Sequence, residues 1–417
     1  MSTVPFPDPA ADAGAPLSPD ARELYRALGA LPPELAVDAD IAAAVCSGSW
    51  ERAHTALGEL ADAGLTDPVP AASGPPRHRL TETAHIRARR ALPQGADPHR
   101  TGAALRLCEW VLALATAACD GPDARRRGSL APTPQGPVPD GIGQDWLLER
   151  PGLVTTALAL AENARWDVLC WQLADVLYVH FASECPIGVE VWRDTAERGL
   201  AAARRAGHAG AERRMLRSLA VALAADGASR AAARQLADLD RLARADGDRG
   251  DEACAAYGLG QILTRQGEHL AARERFARAA RLWGDTAPGT APALNAAAEA
   301  SLAAGDPAGA LEAADAAHAA AQARGQDLET AWALALRGHA RHVTADLPGG
   351  LDDLTHALSG FAHGDRDRDH ARLLGWLADA HQDAHDTDRA AVYRGAAREL
   401  QPGTHRPDLA ETLTDLL

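Results

Sequence analysis

The chain has 417 residues and a formal net charge of −15, and its sequence contains no lysine. A protein that grips nucleic acid along the phosphate backbone needs a basic surface, so this charge argues against broad nucleic-acid binding. The missing lysine excludes a P-loop nucleotide site and Schiff-base catalysis, because both depend on a lysine amine. At roughly 100 to 200 residues per domain, the length predicts two or three folding units.

Aromatic residues make up only 4% of the chain, whereas alanine is very frequent. A core built mainly from alanine and leucine is typical of closely packed helices and not of sheets, so we predict an all-α fold. The N-terminus lacks the basic and apolar regions of a signal peptide, and no uncharged apolar run approaches the ~18 residues of a membrane span. These features predict a cytoplasmic protein without a membrane segment.

The cysteines show no CxxC spacing, and most of them occur in apolar helical surroundings. This pattern favours buried free thiols over a metal site or a disulfide framework. The six cysteines are Cys46, Cys108, Cys119, Cys170, Cys185 and Cys254.

Residues 1–16 are rich in proline, alanine and aspartate without apolar periodicity, which predicts a disordered leader. Ser18 followed by Pro19 is a helix N-cap with proline at the first helical position, and it opens the first of three short helices. A proline-rich stretch with short extended pieces at either end follows at Leu65–Leu80. This order predicts a small winged-helix domain, which together with one further apolar helix occupies residues 17–119.

Three segments of this domain carry a family resemblance: LSPDARELYRALGALP, WERAHTALGELADAGL and RHRLTETAHIRARRAL. They resemble the winged helix that follows the nucleotide-binding module in actinobacterial NB-ARC/STAND-type, SARP-like regulators. In that family a histidine at the end of the wing contacts bound ADP, whereas Thr81 stands at the matching position here. Without that histidine and without lysine, we expect no nucleotide and no other cofactor.

A winged helix can also bind DNA. The candidate recognition helix here has a net negative charge, which opposes phosphate contacts; its charged residues are Glu51, Arg52, Glu59 and Asp62. The next helix is basic at Arg87, Arg89 and Arg90. Charge runs of this kind are most often a solvated face, so nucleic acid is the disfavoured partner. These arginines are the possible DNA contacts if that alternative holds.

Residues 120–144 are dominated by glycine and proline and predict a flexible linker. Residues 145–210 resemble the linker helix and first helical hairpin that join the winged helix to the repeats in the same regulator family.

The stretch Glu252–Gly284 predicts a helical hairpin that is split at Gly267. Gly260 and Ala272 are small enough to let the two helices approach, and Phe276 fills the space between them. The same pattern of small and large residues recurs about five times, with a step of roughly 38 to 40 residues. It resembles tetratricopeptide repeats.

Repeats of this kind imply a tetratricopeptide superhelix over residues 211–403. Residues 404–417 suit a capping helix at the end of the array.

Enzyme signatures are missing from the sequence. His381 and His385 are spaced like metal ligands, but His385 falls at a predicted turn and no HExxH motif accompanies the pair. Alternating aspartates at 364–369 lack the glycine and glutamate of a calcium loop. There is no GxSxG motif and no cysteine in a recognisable nucleophile context. We predict no catalytic residues and no metal.

The first helix of each tetratricopeptide hairpin lines a concave groove, and its outward face mixes arginine, amide and aromatic groups. That mixture suits an extended peptide, so the prediction is a non-enzymatic regulatory or scaffold protein that binds a protein segment. Two alternatives remain: a DNA-binding regulator with a repeat sensor, and an unrecognised enzyme on a helical solenoid. The predicted groove residues are Arg214, Arg217, Tyr257, Gln261, Arg265, Asn295, Glu299, Trp332, His339, His342, Arg372 and Asp379.

Overall fold

The computed structural model of the protein describes residues 17–70, 77–92, 101–118, 151–182, 188–285, 287–361 and 367–400. Within these ranges it contains 18 helices and a single pair of short strands, so the predicted all-α class is confirmed. The contacts within the chain divide it into two compact units, Met1–Met215 and Leu216–Leu417.

The predicted leader (1–16), linker (120–144) and capping helix (404–417) lie outside the described residues. The same holds for the first three residues of the aspartate-rich loop at 364–369. The predicted domain boundaries at 119 and 210 stay predictions.

Within its described residues, unit 1 begins with three helices, two strands and a fourth helix, and it continues with helices alone. Its elements are α1 (Pro19–Gly29), α2 (Ala39–Cys46), α3 (Trp50–Asp62), β1 (Thr66–Val69), β2 (Arg77–Leu80), α4 (Glu82–Arg90), α5 (Gly102–Ala118), α6 (Pro151–Asn163), α7 (Asp167–Ala182), α8 (Val189–Arg205) and the start of α9 (Ala209–Ala225).

Side-chain caps determine where the first helices begin. Ser18 accepts a hydrogen bond from the Ala21 amide and so caps α1, as the sequence predicts. Thr81 caps α4 by accepting a bond from the Ala84 amide. The hydroxyl of Thr81 therefore has a structural role in this protein.

Strands β1 and β2 pair antiparallel, with Thr66 opposite Leu80, and Val37 forms a bridge to His78 on the outer side of β2. The order of helices and strands is the one that a winged helix requires, while the winged-helix assignment itself stays a prediction. Gly29 allows α1 to cross α4 closely, because a Cβ atom there would lie 2.5 Å from the Cβ of Ala88.

Unit 2 consists of helices only, within its described residues. They are the remainder of α9, α10 (Ser229–Asp246), α11 (Arg249–Arg265), α12 (His269–Trp283), α13 (Thr290–Ala303), α14 (Pro307–Arg324), α15 (Asp327–Val343), α16 (Leu347–Gly360), α17 (Asp367–Asp383) and α18 (Thr387–Glu399).

Successive helices of unit 2 pack against each other in pairs, which confirms the tetratricopeptide-type arrangement. Where the connecting residues are described, short turns join the helices, and the chain reverses through residues with positive φ. Gly267 (φ 79°) and Gly305 (φ 75°) provide this conformation at the predicted splits, whereas Ala345 (φ 68°) and His385 (φ 61°) adopt it at later turns.

The small and large positions of the repeat also pack as predicted. A Cβ atom on Gly260 would lie 2.7 Å from Cε1 of Phe276, so the phenyl ring rests directly on the glycine. In a later pair, a Cβ atom on Gly338 would lie 2.9 Å from the carbonyl oxygen of Gly350. Glycine is required where two helix backbones meet at this distance.

Within the described ranges, no helix combines the length and the apolar character that crossing a membrane requires.

Candidate functional site

Three neighbouring helices of unit 2 present their polar and aromatic side chains on one continuous face. On α13 this face carries Glu299, on α15 it carries Trp332 and His339, and on α17 it carries Arg372 and Trp376. Within each helix these residues are spaced by four or seven positions, so each set shares one side. We call these five residues the aromatic ledge.

The ring systems of the ledge form a stack. The ring centroids of Trp332 and Trp376 are 5.6 Å apart with planes 19° from parallel, and those of His339 and Trp376 are 4.4 Å apart at 8°. The guanidinium carbon of Arg372 lies 4.9 Å from the Trp332 ring and 5.1 Å from the Trp376 ring. Cations are attracted to indole faces at such distances.

Glu299 connects the stack to α13. Its carboxylate accepts a hydrogen bond of 2.7 Å from Nε1 of Trp332 and one of 3.2 Å from Nη1 of Arg372. Trp332 is 2% exposed and forms the floor of the ledge, whereas the side chain of Arg372 is 37% exposed. Trp376 and His339 are half-buried, so parts of both rings remain open to a ligand.

His342 lies beside His339 and extends the polar face beyond the ledge, toward the C-terminal ends of α15 and α17. Nε2 of His342 lies 2.8 Å from a carboxylate oxygen of Asp383, and the rings of His339 and His342 are 6.4 Å apart. Burial, with smaller contributions from the neighbouring His342 and Arg372, lowers the pKa of His339 from its ordinary value of 6.5 to about 4. His339 is therefore a neutral imidazole at physiological pH.

Some residues predicted to line the groove are buried instead. Asn295 donates hydrogen bonds to the Glu329 carbonyl (3.2 Å) and carboxylate (2.8 Å), and so links α13 to α15 below the ledge. Tyr257 is 2% exposed and packs against Phe276. The outward orientation expected for Tyr257, Asn295 and Trp332 is corrected by the structure, because each lies under a neighbouring side chain.

The predicted arginines outside the ledge lie in separate ion pairs and hydrogen bonds. In unit 1, Nε and Nη2 of Arg214 donate to the two carboxylate oxygens of Asp175, at 2.9 and 2.7 Å. In unit 2, Arg217 donates to Asp251 at 3.3 Å. Arg265 is exposed and donates to the Ala224 carbonyl at 3.2 Å.

Gln261 is half-buried, and its amide oxygen has no hydrogen-bond partner among the described residues. Asp379 is exposed on α17 and lies 3.8 Å from Arg394. The structure thus collects Glu299, Trp332, His339, His342, Arg372 and Asp379 on one face and places the other predicted groove residues elsewhere.

No family profile and no curated protein matches this sequence. Solved structures that resemble it include the apo form of RapI, at 13% identity and a TM-score of 0.47, covering 61% of this chain and 91% of that one. BtubC from P. vanneervenii resembles it at 17% identity and a TM-score of 0.45, covering 52% of this chain and 96% of that one.

A signal transduction ATPase with a tetratricopeptide repeat sensor, from Pyrococcus horikoshii, also resembles the chain. The identity is 10% and the TM-score 0.42, covering 92% of this chain and 60% of that one.

Two residues of the site escaped the sequence prediction. Trp376 follows Arg372 by four positions and faces the same way, so the helical spacing alone was a sufficient signal for it. Asp383 is the last residue of α17, and no periodic pattern marks a residue at a helix end. Its role becomes visible only from the position of His342.

The two histidines with metal-ligand spacing, His381 and His385, do not belong to the aromatic ledge. His381 is buried, 3.6 Å from Asp386 and stacked on Tyr393, while His385 lies in the following turn. Among the described residues, no group of three metal-ligating side chains comes together.

Arg87, Arg89 and Arg90 are all exposed in the last turns of α4. On α3, Trp50 stacks on His54 with ring centroids 4.8 Å apart, and Arg52 forms an ion pair with Asp20.

Proposed function

We propose that the protein is a non-enzymatic, cytoplasmic regulatory or scaffold protein that holds a segment of a partner protein on the face of α13, α15 and α17. The aromatic ledge is the observation that supports this proposal. A half-buried indole and a neutral imidazole on one helical face offer apolar contact and a hydrogen-bonding group together.

The composition of the ledge is also typical of a binding hot spot in a protein interface. Tryptophan is among the residues that most often dominate protein binding, and here it lies on packed helices, not on loops. Trp332 is fixed below by its bond to Glu299, so a ligand that covers Trp376 meets a surface that is already ordered.

Selection of peptides from a random display library against the full-length protein tests this proposal. Selected peptides are expected to lose at least about tenfold in affinity, measured by fluorescence polarisation, when Trp376→Ala removes the central ring of the ledge. Trp50→Ala removes an exposed indole from unit 1 and is the matched control, which we expect to bind normally.

Peptides that bind Trp376→Ala and the unmodified protein equally, or a library that yields no binder, would contradict the proposal. Circular dichroism of each variant shows whether the fold is retained. Trp376→Phe keeps an aromatic ring and is expected to restore part of the affinity.

A second candidate function is DNA binding by unit 1 with the repeats as a sensor. The exposed arginines of α4 favour it. It predicts retention of duplex DNA in gel-shift experiments at low salt, and loss of that retention when Arg87, Arg89 and Arg90 are replaced together by alanine. If the triple variant still retains DNA, these three arginines are not the DNA contacts.

A further inference from the structure

The guanidinium of Arg372 occupies a complete recognition site formed by other parts of unit 2. It lies over the rings of Trp332 and Trp376, at 4.9 and 5.1 Å. Its Nη1 is 3.2 Å from Glu299 and 3.6 Å from Asp369. Two aromatic faces and two carboxylates around one planar cation are the contacts by which proteins recognise an arginine side chain.

Arg372 is held in this site only loosely. Its side chain is 37% exposed and that of Glu299 is 36% exposed, and an ion pair with this exposure contributes little. Its Nε and Nη2 groups make no hydrogen bond to any residue in the described ranges. By contrast, Arg337 is 18% exposed and donates two hydrogen bonds to the buried carboxylate of Asp353.

Contacts that do not involve Arg372 connect the rest of the site. Glu299 is fixed by its 2.7 Å bond from Nε1 of Trp332, and the Trp332 ring is in turn packed against Trp376. If Arg372 moves out into solvent, the carboxylates of Glu299 and Asp369 lose the cation they share, and the face of Trp332 loses its cover. A second guanidinium in the same position restores both contacts.

The surroundings of the site favour a cationic partner. Asp379 and Asp383 follow on the same helix, with side chains 68% and 66% exposed, and the whole chain has a net charge of −15. Opposite charge on a partner segment promotes its association with such a surface.

We propose that Arg372 is an internal occupant of a guanidinium subsite, and that the partner segment presents an arginine side chain that takes its place. This inference rests on the proposed function and adds the chemistry of the partner to it. Arg372 must leave before the partner enters. The apparent affinity is therefore the intrinsic affinity multiplied by the fraction of molecules in which the subsite is empty. Arginine is preferred to lysine because only a planar cation stacks on both indoles.

The test uses a defined probe on the full-length protein. The probe is an acetylated and amidated nonapeptide with one central arginine among alanine and serine residues, and its control carries citrulline, which has the same shape without charge. Binding is followed by NMR through the indole N–H signals of Trp332 and Trp376. The variants are Arg372→Ala, Arg372→Gln and, as a matched control on α18, Arg389→Ala, whose side chain is 70% exposed.

The arginine peptide is expected to shift both indole signals and to bind Arg372→Ala and Arg372→Gln about three- to tenfold more tightly than the unmodified protein. Arg389→Ala is expected to bind as the unmodified protein does, and the citrulline peptide is expected to leave the signals unchanged. Unfolding curves of the variants confirm that they are folded.

Equal or weaker binding to the Arg372 variants overturns the inference, and so does binding of the citrulline peptide or failure of the arginine peptide to bind any form. Display-selected peptides that need Trp376 but contain no required arginine would overturn this inference while leaving the proposed function intact. If no selected peptide depends on Trp376, the proposed function itself fails.

Discussion

Gly260 on α11 and Phe276 on α12 are in direct contact: a Cβ atom on the glycine would lie 2.7 Å from Cε1 of the phenyl ring. This contact sets the distance between the two helices, because the ring fills the space that the missing side chain leaves. The same relationship between a small and a larger neighbour recurs along unit 2, and it accounts for the close packing of a chain with few aromatic residues.

Gly260→Ala is expected to destabilise the protein by about 1 to 3 kcal/mol, because the added methyl group forces the Phe276 ring or the helix to shift. Gly375→Ala on α17 is the matched control, since a Cβ atom there has no neighbour within 4 Å. That change is expected to be neutral or to stabilise by up to about 1 kcal/mol, because alanine favours a helix. Urea unfolding curves measure both.

In the double variant Gly260→Ala with Phe276→Leu, the smaller side chain is expected to recover part of the lost stability. Equal effects of Gly260→Ala and Gly375→Ala would mean that the contact with Phe276 does not limit the packing.

Asp353→Asn is expected to cost roughly 3 kcal/mol of unfolding free energy, because it removes the charge that two arginines share in a buried site. Asp353 is 3% exposed and accepts bonds from Arg337 at 2.8 and 2.6 Å and from Arg341 at 2.8 Å. The preceding residue provides the control: Asp352 has a side chain that is 70% exposed, so Asp352→Asn is expected to change stability by less than about 0.5 kcal/mol.

Thermal and urea unfolding of the two asparagine variants at one pH give the comparison. A loss of the same size in both would show that the ion pairs of Asp353 contribute no more than an exposed carboxylate.

Acidification is expected to weaken the fold partly through His339. Its pKa is lowered from 6.5 to about 4 by burial, so the unfolded chain takes up a proton at a higher pH than the folded protein does. The neutral His339 imidazole makes its full contribution to the free energy of unfolding above about pH 6.5, and this contribution is lost as the pH falls toward 4. Allowing for the partial exposure of the ring, it amounts to roughly 1 to 2 kcal/mol.

His339→Gln is expected to lose less stability between pH 7 and pH 5 than the unmodified protein, in unfolding curves recorded at both values. His356→Gln replaces a histidine whose side chain is 67% exposed, and it should follow the unmodified protein. Parallel losses in all three proteins would contradict the role of His339.

The buried thiols are expected to resist alkylation in the folded protein. Burial raises the pKa of Cys108 and Cys170 to about 12 and that of Cys46 to about 11, so hardly any thiolate forms at pH 8. Mass spectrometry of peptides after iodoacetamide treatment should show Cys46, which is half-buried, labelled before the other two. In denaturant all three should react alike, and rapid native labelling of Cys108 would contradict its burial.

The sequence by itself determined the helical class and the pairing of helices in unit 2. Both depend on local properties: glycine at a turn with positive φ, as at Gly267, and a regular spacing of small and large residues, as at Gly260 and Phe276. These signals lie within one hairpin and so can be recognised without knowledge of the neighbouring repeats.

Only the tertiary structure decided which side chains of the first helices are accessible. Glu299 and Arg372 are 73 positions apart, and Trp332 is covered by side chains from a later helix. The exposure of a residue on a repeat helix depends on how closely the next pair packs and on the long side chains it contributes. That information is distributed over several repeats, and helical periodicity does not contain it.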